Sequence, residues 1–228
     1  NNSETGLISY LLFENGEIVI DESDIPTYAQ GNRIIDDLLP SHSIGKSLVS
    51  YVTGHAICEG YVSSVNETLT NWDVVQNTLF QDQLLIDLLN MQAGDDMYVG
   101  ERLEPRRDNK LKQHPDVNVN TIPLVDLMKL YFQNTNRNIP AFNAKKPKYN
   151  YSALTTNVIM NFMIHKTGED WEKLLHKVFN EHVRVENNVY FSKTVPRSKP
   201  NASGRYSFYA TRYDYLRIAK AMLDDWHT

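Results

Sequence analysis

The sequence predicts an α+β fold, and three observations carry that prediction. Two β-rich runs flank Asn15-Gly16 near the amino end. A series of segments with helical apolar spacing follows, at residues 44–56, 83–91, 155–166, 169–181 and 214–224. Between them there is none of the strand–helix alternation that builds a parallel sheet, so strand first and helices after gives α+β with a mainly helical middle.

Residues 6–22 (GLISYLLFENGEIVIDE) read as a β-hairpin, because both Asn15 and Gly16 tolerate the positive φ of a tight turn. After a loop holding Pro26 and Gly31, residues 32–39 read as a short extended run. From Ser43 the pattern turns helical, with Ile44, Leu48, Val52 and Ala56 on one face. Cys58 reads as a small buried residue of that helix, and Gly60 as its stop. Residues 83–91 form a second short helix closed by Ala93-Gly94. Residues 95–123 are polar and aperiodic, hence loop. Residues 123–133 are helical, with Pro123 at a tolerated first-turn position. A Lys/Pro-rich turn with Lys145, Lys146 and Lys148 then leads to the last three helices. The expected organisation is one domain over residues 1–228: hairpin and first helix at 1–60, a mainly helical region at 61–203, and a helix returning to the sheet at 204–228.

Composition excludes several functions. A content of 41% hydrophobic and 22% charged residues is that of an ordinary globular chain with a real core. The net charge of −5 leaves no footprint for nucleic acid or an anionic membrane, so neither is an expected partner. One cysteine rules out an intramolecular disulfide framework. No apolar run is long enough to span a bilayer, and NNSETG does not read as a signal peptide. The seven histidines show no metal-ligand spacing, so neither metal nor cofactor is expected.

The stretch SHSIGKS (residues 41–47) admits two chemistries. Gly45-Lys46-Ser47 is how a phosphate-binding P-loop ends, but such a loop needs glycine where Pro40 stands. Proline lacks the backbone N–H that the phosphates require, and the chain lacks the matching fold pattern. The alternative is S-x-x-K. On a helix, Ser43 and Lys46 share a face one turn apart, so the lysine can hold or take the serine proton. A helix amino terminus also offers positive dipole to a developing oxyanion. The pattern is short, and a capping serine with an exposed lysine is its ordinary meaning. Its surroundings decide the matter.

Ser43, Lys46, Ser47, Glu59-Gly60 and Ser64-Val65-Asn66 stand in the order seen along the nucleophile helix of the class C β-lactamase-related serine hydrolases, and the segment resembles that family. LLIDLLNMQAG resembles the family's next apolar helix, with Ala93 in place of the usual hydroxyl residue. PKYNYSALTTNVIM resembles its tyrosine motif through Pro147, Tyr149, Tyr151, Ser152, Thr156, Val158 and Ile159, with Ala153 where Asn or Ser is usual. Gly204, Ala210-Thr211, Asp214-Tyr215, Arg217-Ile218 and Met222-Leu223 follow a later family helix. Lys166-Thr167-Gly168 is a decoy for the third family motif, since it closes a helix.

The resemblance implies a β-lactamase/penicillin-binding-protein-like fold, an antiparallel sheet flanked by helices. It implies an acyl-enzyme mechanism with Ser43 as nucleophile and Lys46 and Tyr151 as proton handlers, on an ester, β-lactam or small amide. Tyrosine can serve only if a nearby cation lowers its ordinary pKa of about 10, and Lys46 is the candidate. Ser152, Ala153 and Gly204 are the expected substrate-binding positions. Members of this family include esterases, 6-aminohexanoate-dimer hydrolases and D-alanyl-D-alanine carboxypeptidases, and they lean toward a periplasmic or extracytoplasmic setting. The competing expectation is a non-catalytic relative that binds a ligand or partner, which Ala153 favours. The third-motif strand does not follow the last helix, so the expectation is that a C-terminal companion segment or chain completes the sheet.

Overall fold

The computed structural model describes residues 8–24, 38–78, 80–93, 149, 151–194 and 204–227. In chain order these carry strands β1 (Ser9–Glu14), β2 (Glu17–Ser23) and β3 (Leu39–Pro40), a 3-10 turn His42–Ile44, and helix α1 (Gly45–Cys58). A 3-10 turn Asp73–Val75, helix α2 (Leu85–Leu89) and helix α3 (Ala153–Thr167) come next. A 3-10 turn Gly168–Asp170 leads into α4 (Trp171–His176) and a π-helical turn Lys177–Val183. Strands β4 (Tyr190–Thr194) and β5 (Arg205–Ala210) and helix α5 (Arg212–His227) end the series. The mixture is α+β, with β1–β2 forming one small sheet and β3-β5-β4 another. Among the described residues no helix is long and apolar enough to cross a membrane. The expected helix at 123–133, the loop at 95–123 and the lysine cluster lie outside the described residues.

By internal packing the chain divides into two units, one of Asn1–Gly45, Leu175–Ser192 and Ser207–Thr228, the other of Lys46–Leu174 and Lys193–Tyr206. In the first unit the hairpin forms as expected, with Asn15 at φ 52° and Gly16 at φ 91°. Its register shifts between Leu12 and Phe13, where Leu12 faces Ile20 and Phe13 faces Ile18. Arg212, opening α5, ion-pairs with Asp21 and donates to the Glu22 carbonyl at 2.8 Å. Tyr213 Oη donates to the Asp21 carboxylate at 2.6 Å. Phe208 of β5 anchors this unit's core, with ring centroids 5.1 Å from Phe179 and 4.9 Å from Phe191. Each such aromatic pair adds about 0.5–1.5 kcal/mol beyond area burial. The start of α5 is capped locally: Thr211 Oγ1 donates to the buried Asp214 carboxylate at 2.8 Å and accepts the Asp214 N–H at 3.2 Å.

In the second unit α3 is buried on nearly every side, through Leu154, Val158, Ile159, Met160, Phe162 and Met163. A helix buried on most of its faces belongs inside its unit. Leu48, Val52 and Ala56 give α1 its buried face, and Leu85 and Leu88 bury the short α2. Each fully buried leucine or valine contributes roughly 1.5–3 kcal/mol. Trp72 packs at 5.7 Å from Phe162, and the Lys166 ammonium pairs with Glu67 at 2.7 Å. Gly168, at φ 55°, returns its N–H to the Ile164 carbonyl, so Lys166-Thr167-Gly168 closes α3.

Three expectations need correcting. The residues before α5 do not stay helical, because β4 and β5 lie there. RYSFYA is aromatic and alternating, which suits a strand. Ile44 leaves the buried face and stands 61% exposed. It belongs to a 3-10 turn of three residues per turn, so the spacing-of-four register begins only after it. Cys58 is exposed, because it falls two positions beyond Ala56 and hence on the opposite side of α1.

Candidate functional site

Ser43 lies on the 3-10 turn that runs directly into α1, three residues ahead of Lys46. The turn is built from its foot upward. Pro40 of β3 faces Tyr209 of β5, and the next residue, Ser41, donates its N–H to the Phe208 carbonyl at 2.8 Å. Ile44 N–H then returns to the Ser41 carbonyl at 3.1 Å, and Gly45 N–H to His42 and Ser43. His42 takes φ 45°, a left-handed conformation that costs a non-glycine residue roughly 1–2 kcal/mol. Such a conformation persists only where neighbours impose it. Ser43 itself is exposed.

Lys46 and Tyr151 belong to the second unit, and the structure brings them together. Lys46 Nζ lies 4.6 Å from the centre of the Tyr151 ring. Lys46 is half-buried in the first turn of α1, and Tyr151 half-buried just ahead of α3. Tyr151 is placed by the cap that follows it. Ser152 takes extended φ −139° and ψ 122°, and its Oγ accepts the Thr155 N–H at 3.3 Å. Ser152 is fully buried, so its hydroxyl serves the helix end.

Ala153 and Gly204 each bond to an asparagine of α3 that belongs to no motif. Asn157 Nδ2 donates to the Ala153 carbonyl at 2.8 Å, while its Oδ1 accepts the Tyr206 N–H at 2.9 Å. One turn on, Asn161 Nδ2 donates to the Gly204 carbonyl at 2.8 Å and Oδ1 accepts the Gly204 N–H at 3.2 Å. Two side-chain amides, four apart on α3, thus pair with backbone two apart at the start of β5. The signal is two asparagines at helical spacing inside a largely buried helix, where an unpaired amide would be costly. Burial shapes the ionisation of the adjoining strand residues. It pushes Arg205 down to about 10 and Tyr206 up to about 12.

No protein-family model matches the chain. No curated protein matches it either. Among solved structures it is similar to the crystal structure of a class C β-lactamase from Rhodobacter sphaeroides, with 14% sequence identity and a TM-score of 0.49. That match covers 80% of this chain and 50% of the other, so the chain spans about half the length of that neighbour.

Proposed function

We propose that the protein is a serine hydrolase of the β-lactamase-related kind, acting by acyl transfer. The observation that carries this reading is the Lys46–Tyr151 contact, because the S-x-x-K and tyrosine motifs call for those two side chains to meet. In the proposed reaction Ser43 Oγ attacks the carbonyl carbon of an ester, β-lactam or small amide. Its proton passes to the Lys46–Tyr151 pair and on to the leaving group as the carbon–oxygen or carbon–nitrogen bond breaks. Water then attacks the acyl-enzyme, releasing the acid and restoring the serine. The amino end of α1 adds positive dipole beside the developing oxyanion.

Ala153 favours a second reading, a ligand- or partner-binding relative without turnover. Hydrolysis of a panel of nitrophenyl esters and penicillins, by the wild-type protein beside Ser43→Ala, separates the two. Turnover that disappears in Ser43→Ala supports the enzyme. Equal background rates for both proteins on every substrate would leave the binding module.

A further inference from the structure

The turn that carries Ser43 is tied down at its foot by one phenol from the last helix. Tyr215, in the first turn of α5, donates from Oη to the Leu39 carbonyl at 2.8 Å. The Ser41 hydroxyl reaches forward to the His42 carbonyl at 3.4 Å. The Phe208 carbonyl, which accepts the Ser41 N–H at 2.8 Å, lies 3.4 Å from the Tyr215 phenol oxygen. The Tyr215 ring stands edge-on to Phe208 at 6.1 Å, which fixes the direction of the hydroxyl. Burial raises the phenol far above its ordinary pKa, so it stays protonated and able to donate.

Leu39 directly, and Ser41 through the Phe208 carbonyl, are therefore tied to one phenol oxygen. Leu39 precedes Ser41, and Ser41 receives the Ile44 N–H that closes the turn. Between Ser41 and Ser43 stands His42 at φ 45°, which relaxes unless its neighbours hold it. Ser41 Oγ also occupies the space beside Gly45, 2.6 Å from where a Cβ there would sit. We infer that Tyr215 is a positioning residue for Ser43, holding Leu39 and Ser41 so that the strained turn presents the serine in one orientation. The inference rests on the hydrolase reading for its chemical consequence, but the anchoring itself is a separate, measurable claim.

Tyr215→Phe removes the hydroxyl and keeps the ring against Phe208. Hydrogen exchange, read on peptides covering residues 39–46, reports the anchor. Labelling by a fluorophosphonate reports the chemistry, with maximal rate and half-saturation concentration measured separately. The expected result is exchange faster by about tenfold or more in residues 39–46, with residues 48–58 of α1 unchanged. The maximal labelling rate should fall by about tenfold or more at unchanged half-saturation, since a misplaced reacting atom costs rate rather than binding. Ser41→Ala, which removes the hydroxyl that reaches the His42 carbonyl, should raise exchange in the same peptide. Wild-type exchange over residues 39–46 in both variants overturns the inference. Raised exchange with wild-type labelling also overturns it, because the turn would then be anchored to no chemical purpose. If no probe labels even the wild-type protein while both variants raise exchange, the anchor stands and the hydrolase reading falls.

Discussion

The Lys46 ammonium lies 4.6 Å from the centre of the Tyr151 ring, although 105 positions separate the two residues in the chain. A cation over an aromatic face is worth about 0.5–1 kcal/mol at a partly exposed site. That is small beside what the pair would contribute to proton transfer, and the two effects can be separated. Tyr151→Phe keeps the aromatic face and removes only the hydroxyl. It should leave the melting temperature nearly unchanged and slow acylation of Ser43 by about 10²–10⁴-fold, the usual worth of a positioned acid–base group. Lys46→Met should slow it comparably, and the double variant little further, since residues that act as a unit are not additive. Stopped-flow or quenched labelling of all four proteins reads this out. Additive losses, or an unimpaired Tyr151→Phe, would remove the pair from the mechanism.

Much of this arrangement was legible in the sequence because it rests on local rules. Asn15-Gly16 announced its turn through positive φ, Gly60 and Gly168 announced two helix ends, and Leu48, Val52 and Ala56 announced the face of α1. What was not legible depends on partners distant in sequence. RYSFYA falls in the segment expected as a helix returning to the sheet, although its aromatic alternation suits β5. The β3 residues that pair with it lie some 170 positions earlier. Asn157 and Asn161 looked like polar residues on a helix until Tyr206 and Gly204 supplied the backbone they bind. Ile44 followed the apolar spacing but sits in a tighter turn, and spacing alone does not reveal a change from 3.0 to 3.6 residues per turn.

Gly45 is where the turn meets α1, and its lack of a side chain is used. An added Cβ would sit 2.6 Å from Ser41 Oγ, closer than real contacts allow. Ser41 is buried, so its hydroxyl has little room to swing away and would give up its contact with the His42 carbonyl. Gly45→Ala should therefore destabilise the protein by about 1 kcal/mol despite alanine's better helix propensity. Chemical denaturation that shows Gly45→Ala more stable than wild type would contradict this packing.

Asn161 should matter more than its position on a helix implies. Its side chain satisfies both the N–H and the carbonyl of buried Gly204. Asn161→Ala leaves those groups without that partner, and about 1–3 kcal/mol of stability should go with each one left unsatisfied. Asn157→Ala, which gives up one bond to the half-buried Tyr206 N–H and one to the Ala153 carbonyl of its own helix, should lose less. Urea midpoints for the two variants in the reverse order would show that the amide pairing is incidental.

Acid should weaken the second unit through Glu67. Burial alone would raise its carboxyl, but hydrogen bonds from Lys166 and Ser63 and the lysine charge outweigh burial and hold it below the usual 4.5. A carboxyl depressed in the folded state contributes stability that is fully present above its unfolded value and is lost as pH falls through its folded one. The wild-type melting temperature should thus fall on acidification below about pH 4.5 partly through this pair. In Glu67→Gln that part of the slope should be missing, while the two proteins converge at the lowest pH. Parallel curves for the two proteins would assign the acid sensitivity elsewhere.

The central claim, that Ser43 is an acylatable nucleophile, is tested most directly by mass. Wild-type protein and Ser43→Ala are incubated with a fluorophosphonate and with a penicillin, and intact mass is followed by peptide mapping. The account predicts a single adduct on wild-type protein, mapped to the peptide holding Ser43, with none on Ser43→Ala. An adduct that persists in Ser43→Ala, or that maps to another residue, would contradict it.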